Sequence, residues 1–320
     1  MRDLTRSVVV VTGASSGIGR ATALGFAREG ASLVLAARNE QPLRQIASEC
    51  EALSVPTLVV PTDVREEQRV QELAHRALER FGRFDVWVNN AGVIAYGAFT
   101  DVPSDVFRAV IETNLMGQVH GARAALAVFA HQRDGVLINM SSVWGRVTTP
   151  DVSAYVTSKF AVRALSECLR EEVRNTPGVD VVTILPQASD TPIFRYAANF
   201  SGHPVRPIPP LVDPEEVAEG IVSCARLPKR EVTYRRAGRS LELFHTFAPR
   251  LYARVLPSGF TAGNYGRGHS SASNGRAMAY VSDPGAYAVR GGWKAHRRGE
   301  LARALLATLV GFGKGLFGGS

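Results

Sequence analysis

Six short runs rich in valine, isoleucine and leucine recur through the first 190 residues, at 7–13, 32–38, 57–63, 84–92, 135–142 and 179–186. Between them lie longer stretches with helical spacing, at 17–29, 40–52, 65–81, 104–131 and 153–175. The runs are nearly continuous in apolar residues and do not alternate with polar ones, as strands covered on both faces require. Strand followed by helix, repeated in this way, predicts an α/β fold: a doubly wound parallel sheet with helices on both sides. A chain of 320 residues with 45% apolar content can bury such a sheet.

Beyond Pro186 the texture changes. Residues 187–212 are proline-rich and read as a loop with a short helix. Residues 213–227 form a good helix, with Asp213 placed to cap it and Pro214 at its first position. The stretch 230–238 supplies a last strand, and 240–256 returns to helical spacing. Residues 257–292 are rich in Gly, Ser and Ala and predict a poorly packed linker, before a final amphipathic helix at 299–312. Two parts follow: a main domain, 1–240, and a C-terminal extension, 241–320.

Charge is also uneven along the chain. Residues 1–225 carry a net −4 and residues 226–320 a net +12. The basic extension has few aromatics among its arginines, so no nucleic-acid partner is expected. Leu301, Leu305, Leu309 and Phe312 would form one apolar face beside Arg297, Arg298, Arg303 and Lys314. That pattern suits peripheral contact with an anionic membrane, or docking on protein, including a second copy in a homodimer. No run reaches the ~18 apolar residues of a membrane span. Cys50, Cys168 and Cys224 are scattered, which excludes a disulfide framework and a zinc site and points to a reducing, cytoplasmic setting. No metal is expected.

The first strand runs into "TGASSGIG" (12–19), a glycine-rich turn that opens a helix. Gly13 permits the sharp turn, Gly17 lets backbone approach a pyrophosphate, and Gly19 lets the helix pack closely on the sheet. The second strand ends in Ala37 and Arg38, where an enzyme reading a ribose 2′-hydroxyl would carry a carboxylate. A guanidinium in that place pairs with a 2′-phosphate, so NADP(H) is expected over NAD(H).

With that turn, "NNAG" (89–92), "NMSS" (139–142) and "YVTSK" (155–159) in order, the chain resembles the short-chain dehydrogenase/reductase family over about residues 5–230. The resemblance implies a Rossmann-type sheet of about seven strands and a nicotinamide cofactor. It assigns cofactor contacts to Ser15, Ser16, Ile18, Asp63, Val64, Asn90, Ala91, Gly92, Tyr155, Lys159, Pro186 and Thr191, besides the three glycines and Arg38. It also makes Asn114, Ser142, Tyr155 and Lys159 the catalytic group. Two departures stand out. Residues 186–191 read "PQASDT" where the family commonly has P-G-x-V-x-T, and the chain continues about 70 residues past the usual end.

The chemistry of the catalytic group can be argued from the residues. Lys159 is the only lysine in the first 228 positions, one helical turn after Tyr155. A tyrosine, with an ordinary pKa of about 10, is a poor base at neutral pH, and a neighbouring ammonium is expected to lower it. Ser142 can hold the substrate oxygen, and Asn114 a water that relays protons from Lys159. Of the two serines at that strand end, Ser141 is the better candidate for capping the following turn. Ile94, Tyr96, Phe99, Trp144, Phe194, Tyr196 and Phe200 offer apolar walls, with Ile94, Trp144 and Phe194 chosen beside Ser142 and Tyr155 for substrate binding. The reading is an NADP(H)-dependent oxidoreductase interconverting a carbonyl and a secondary alcohol on a lipid-like, sterol-like or aromatic substrate. Its alternative is a weakly active, cofactor-sensing regulator on the same fold.

Overall fold

The structure, a computed structural model, describes residues 1–294 except Arg235. The helix expected at 299–312, and with it the proposed membrane or docking face, lies outside the described residues. Among those described, no helix is long and apolar enough to cross a membrane.

Nine strands form among the described residues: β1 (Val8–Thr12), β2 (Ser32–Ala37), β3 (Thr57–Pro61), β4 (Val86–Asn89), β5 (Ala95–Tyr96), β6 (Gly135–Met140), β7 (Val179–Leu185), β8 (Ala198–Asn199) and β9 (Glu231–Thr233). Seven of them make one parallel sheet in the order β3-β2-β1-β4-β6-β7-β9. This is the Rossmann-type sheet the sequence predicts. Its strand order reverses between β1 and β4, which opens a crevice at their carboxyl ends. The other two strands, β5 and β8, pair with each other, β8 lying within the stretch expected to be a loop.

The consecutive valines of β1 show why the runs are apolar throughout. Val9 and Val11 enter one core with Phe26 of α1 (Gly17–Arg28), Leu43 and Ile46 of α2 (Glu40–Glu51) and Ile221 of α7 (Pro214–Arg226). Val8 and Val10 enter the other, with Leu73 of α3 (Glu67–Phe81) and Phe129 of α5 (Gly117–Gln132). Successive side chains point to opposite faces, so a strand between two helical layers needs a hydrophobe at every position.

Residues 104–131 are not one uninterrupted α-helix. α4 (Ser104–Ile111) passes into a π-helical turn at Glu112–Met116 before α5 begins, and Asn114 sits in that turn. The expected cap on α7 also differs. Asp213 occupies the N-cap position but its side chain makes no capping bond; its carboxylate takes Lys294 Nζ at 2.6 Å instead.

The extension departs most from expectation. α8 (Arg236–Phe247) and α9 (Pro249–Asn264) follow β9, so helix continues into the stretch expected to be linker. The chain after α9 is packed onto the body. Tyr265 bridges Val205, Ser273 bridges Asn199, and a short helix, α10 (Gly275–Met278), leads into a 3₁₀ turn at Pro284–Tyr287. Small residues allow this: a Cβ on Gly275 would stand 2.4 Å from the Ala197 carbonyl. The segment is held by backbone hydrogen bonds, which do not require the aliphatic side chains it lacks.

α5 lies against β4 at Gly121. A Cβ there would stand 2.0 Å from Asn89 Oδ1 and 2.7 Å from Trp87 Nε1. Behind it runs a buried chain of hydrogen bonds: Trp87 donates to Asn89, Asn89 to Asn139 and Asn139 to Ser166. Gly121→Ala should break this chain and lower the unfolding free energy by about 2 kcal/mol. Urea denaturation measures the loss, and an unchanged midpoint would show that the sheet yields to the methyl group.

Candidate active site

The glycine turn after β1 is shaped by close approach. Gly13 has φ +66°, and a Cβ on Gly19 would stand 2.1 Å from the Gly13 carbonyl oxygen. Asn90, at the end of β4, donates its amide to the Thr12 and Gly13 carbonyls at 3.0 and 3.2 Å. Asn90, read as a cofactor contact, therefore also staples the turn to the neighbouring strand. α1 carries no acidic residue in its first turn, and its N-cap, Ser16, makes no capping bond. The first amide of the helix, Gly17 N, donates to the Ala288 carbonyl at 3.0 Å, so the chain after α10 partly covers this positive end.

A cavity of about 590 Å³ runs from this turn across the carboxyl ends of the strands. Every residue expected to touch the cofactor lines it except Gly19, whose part is the packing just described. At one end lie Arg38 and Asp63. Burial pushes the Asp63 carboxyl up, but its bonds with the Arg65 guanidinium outweigh that and hold it below the usual range. Arg38 makes no ion pair among the described residues, and its Nη1 is buried without a hydrogen-bond partner. Its Nη2 donates to the Arg276 carbonyl at 2.8 Å.

At the other end lie Ser142, Tyr155 and Lys159. Tyr155 and Lys159 sit one turn apart on α6 (Ser153–Val173), and Lys159 Nζ is 5.3 Å from the Tyr155 ring centroid. Lys159 is 3% exposed and donates to the Met140 carbonyl at 2.8 Å. Burial pushes the Tyr155 hydroxyl up to about 12, against a downward pull from its hydrogen bond with Ser142. Burial likewise brings Lys159 down to about 7. This corrects the expectation of a lowered tyrosine: burial disfavours the charged form of both groups. Ser142, not Ser141, caps the turn at Val143–Gly145 by accepting from Trp144 N at 3.2 Å. Ser141 instead donates to the Lys159 carbonyl at 2.8 Å.

Asn114 lies behind the cavity, fully buried. It accepts from Val93 N at 2.8 Å and donates to the Val93 carbonyl at 2.9 Å and to Ser158 Oγ at 3.0 Å. The π turn supplies the local widening that lets its amide leave the helix and brace the end of β4.

Ile94, Trp144, Phe194 and Tyr196 line the cavity as expected. The other three aromatics do not. Tyr96 is buried against Tyr265, Phe99 is 70% exposed, and Phe200 packs with Val102 and Phe107. Sequence reasoning missed Ile208, Phe260, Arg276, Tyr280 and Tyr287, all on the wall. Phe260 lies 5.7 Å from Trp144, ring to ring, and Trp144 5.8 Å from Tyr155. Four of these five belong to the extension. The one available signal was the presence of aromatic residues and arginines in a segment rich in small ones.

The family model described as short chain dehydrogenase matches residues 7–200. The uncharacterized oxidoreductase YxnA of Bacillus subtilis is 35% identical over 259 residues, covering 80% of this chain and 73% of that protein. An uncharacterized oxidoreductase of Staphylococcus aureus is 36% identical over 239 residues, 73% of this chain and 99% of that one. Among solved structures, an alcohol dehydrogenase from the archaeon Thermococcus sibiricus, complexed with 5-hydroxy-NADP, superposes with a TM-score of 0.63 at 31% identity, covering 72% of this chain and 96% of that one. A short chain dehydrogenase/reductase from Burkholderia phymatum in complex with NAD gives 0.72 at 27% identity, with coverage of 78% and 96%.

The depressed Lys159 value has a measurable consequence. The unfolded side chain keeps its proton up to about 10.5, whereas the folded one releases it near 7. Between these values the unfolded state binds more protons, so stability rises with pH across that window. Lys159→Met removes the titrating group. Wild-type melting temperature should therefore climb relative to the variant between about pH 7 and pH 10. Parallel curves would mean that Lys159 stays protonated in the fold.

Proposed function

The chain belongs to the short-chain dehydrogenase family and is an oxidoreductase; on that premise we propose that it uses NADP(H) to interconvert a carbonyl and a secondary alcohol on an apolar substrate, with Tyr155 as acid and base. The observation that carries this reading is one cavity holding Ser142, Tyr155 and Lys159 at one end and an unpaired Arg38 at the other.

A nicotinamide cofactor, when bound, supplies or accepts the hydride. The glycine turn and the N-terminus of α1 would hold its pyrophosphate, and Arg38 the phosphate on its adenosine ribose. Solved neighbours carry both an NADP analogue and NAD, so the preference rests on this chain's own Arg38 and on Ala37 in the place of a carboxylate. The remaining chemistry is a proton transfer. Ser142 and Tyr155 can both hydrogen-bond a substrate oxygen, which gains negative charge as a carbonyl is reduced. Tyr155, kept protonated by burial, stands as the donor to that oxygen. Lys159, brought to about 7, can exchange a proton near neutral pH and restore the tyrosine in either direction. Asn114 acts as a brace that fixes Val93 and Ser158. Ile94, Trp144, Phe194 and Phe260 give the reacting end aromatic and aliphatic walls, which favour an apolar substrate.

Tyr155→Phe should abolish turnover in a screen of ketones and alcohols followed by NADPH absorbance, while cofactor still binds, because only the proton donor is lost. Lys159→Arg should fail almost as badly, since a planar guanidinium does not fit the compact buried site. Retained activity in the arginine variant would show that charge alone suffices. Titration of both cofactors should give tighter NADP(H), and Arg38→Asp should reverse the order; equal affinities in the wild type would refute the preference.

A further inference from the structure

The strap formed by residues 275–293 runs along the adenosine end of the cavity. Gly17 N donates to the Ala288 carbonyl at 3.0 Å, and Arg20 Nη1 to the Tyr287 carbonyl at 2.9 Å. Asn39 Nδ2 donates to the Tyr287 hydroxyl at 2.9 Å. Further along, Trp293 N donates to Asp190 Oδ1 at 2.8 Å, and Trp293 Nε1 to the Thr191 carbonyl at 3.0 Å. The strap is thus fastened to the glycine turn, to the end of β2 and to the loop after β7.

Arg276 begins this strap and lines the same cavity as Arg38. The two arginines are adjacent: Arg38 Nη2 donates to the Arg276 carbonyl at 2.8 Å. The Arg276 guanidinium is held in one place, 4.8 Å from the Tyr287 ring centroid and 5.5 Å from that of Tyr196. Its Nη1 donates to Ser16 Oγ at 3.2 Å and its Nη2 to the Ala286 carbonyl at 2.6 Å. All these partners are neutral. Neither Arg276 nor Arg38 has a carboxylate within ion-pair distance among the described residues. Two half-buried cations therefore share one corner, with Asp63, itself bound to Arg65, and Asp283 acting on them only from beyond ion-pair distance. Burial lowers both pKa values; on Arg38 the attraction of Asp63 opposes this, and the like charges of Arg65 and Arg276 add to it. Such a corner costs free energy in the protein alone and is relieved by a bound anion.

We propose that Arg276 is the second cation of the adenosine 2′-phosphate subsite, so that the C-terminal strap, together with Arg38, decides between NADP(H) and NAD(H). The inference rests on the NADP(H) reading above and extends it to a residue outside the dinucleotide-binding core. A strap-borne guanidinium, pre-oriented between two tyrosines, loses little freedom on binding and presents its remaining N–H donors to a dianion. The same strap covers the helix end that would face the pyrophosphate, so phosphate recognition and strap seating are coupled.

Calorimetric titration of the full chain with adenosine 2′,5′-bisphosphate and with adenosine 5′-monophosphate tests this without turnover. The wild type should prefer the bisphosphate. Arg276→Ala should weaken the bisphosphate on the order of tenfold and leave the monophosphate within about twofold, as should Arg38→Ala. Arg276→Gln, which keeps hydrogen-bonding groups for Ser16 and Ala286, repeats the comparison if the alanine variant fails to fold. If Arg38→Ala removes the preference and both Arg276 variants keep it, the NADP(H) reading stands and this inference is overturned. Equal weakening of both ligands by the Arg276 variants also overturns it, because Arg276 would then only fasten the strap. A wild type without preference refutes the NADP(H) reading itself, and the role of Arg276 with it.

Discussion

Helix α1 starts so close to the end of β1 that no side chain fits between them. A Cβ on Gly19 would collide with the Gly13 carbonyl, and one on Gly13 would stand 2.8 Å from Ala91 Cα. Everything at the cofactor end follows from that approach. It brings the helix N-terminus over the crevice between β1 and β4, where the strand order reverses. It also sets Asn90 where its amide can hold the turn's carbonyls. A larger residue at Gly19 would lift the helix from the sheet, and the anion site would be lost together with the packing of Phe26 beneath it.

The reacting end obeys a different constraint, the exclusion of water. Lys159 is nearly inaccessible, and its one protein hydrogen-bond acceptor is the Met140 carbonyl at the end of β6. Desolvation then moves its proton affinity and that of Tyr155 toward neutral forms. In the mechanism proposed above, this gives a tyrosine that holds its proton until a substrate oxygen takes it, beside an amine that exchanges protons near neutrality. The π turn at Asn114 serves the same end by holding fixed the backbone on which this corner rests.

The basic character of the extension has a partial structural account. Two of its charges are spent on the body: Lys294 meets Asp213, and Arg290 meets Glu215. Arg276 differs in having only neutral partners and the cavity before it. The extension therefore contributes to the site's walls, with Phe260 beside Trp144 and Tyr287 beside Asn39.

The sequence alone determined the sheet, its two helical layers, the glycine turn and the Tyr155–Lys159 pair. These depend on local rules: strand and helix periods, a turn that only glycine can make, and the four-residue repeat of a helix face. It also placed Arg38, because the end of the second strand is a fixed position in such a fold. Only the tertiary structure decided what reaches that site from far along the chain. Residues 257–292 read as loose because they lack aliphatics, yet backbone hydrogen bonds and close glycine contacts bind them to the body. Such bonds leave no periodic trace in a sequence. Proton affinities likewise depend on the fold, since Lys159 and Tyr155 share a helix face in either case, and burial, which is a property of the assembled protein, favours the neutral form of both.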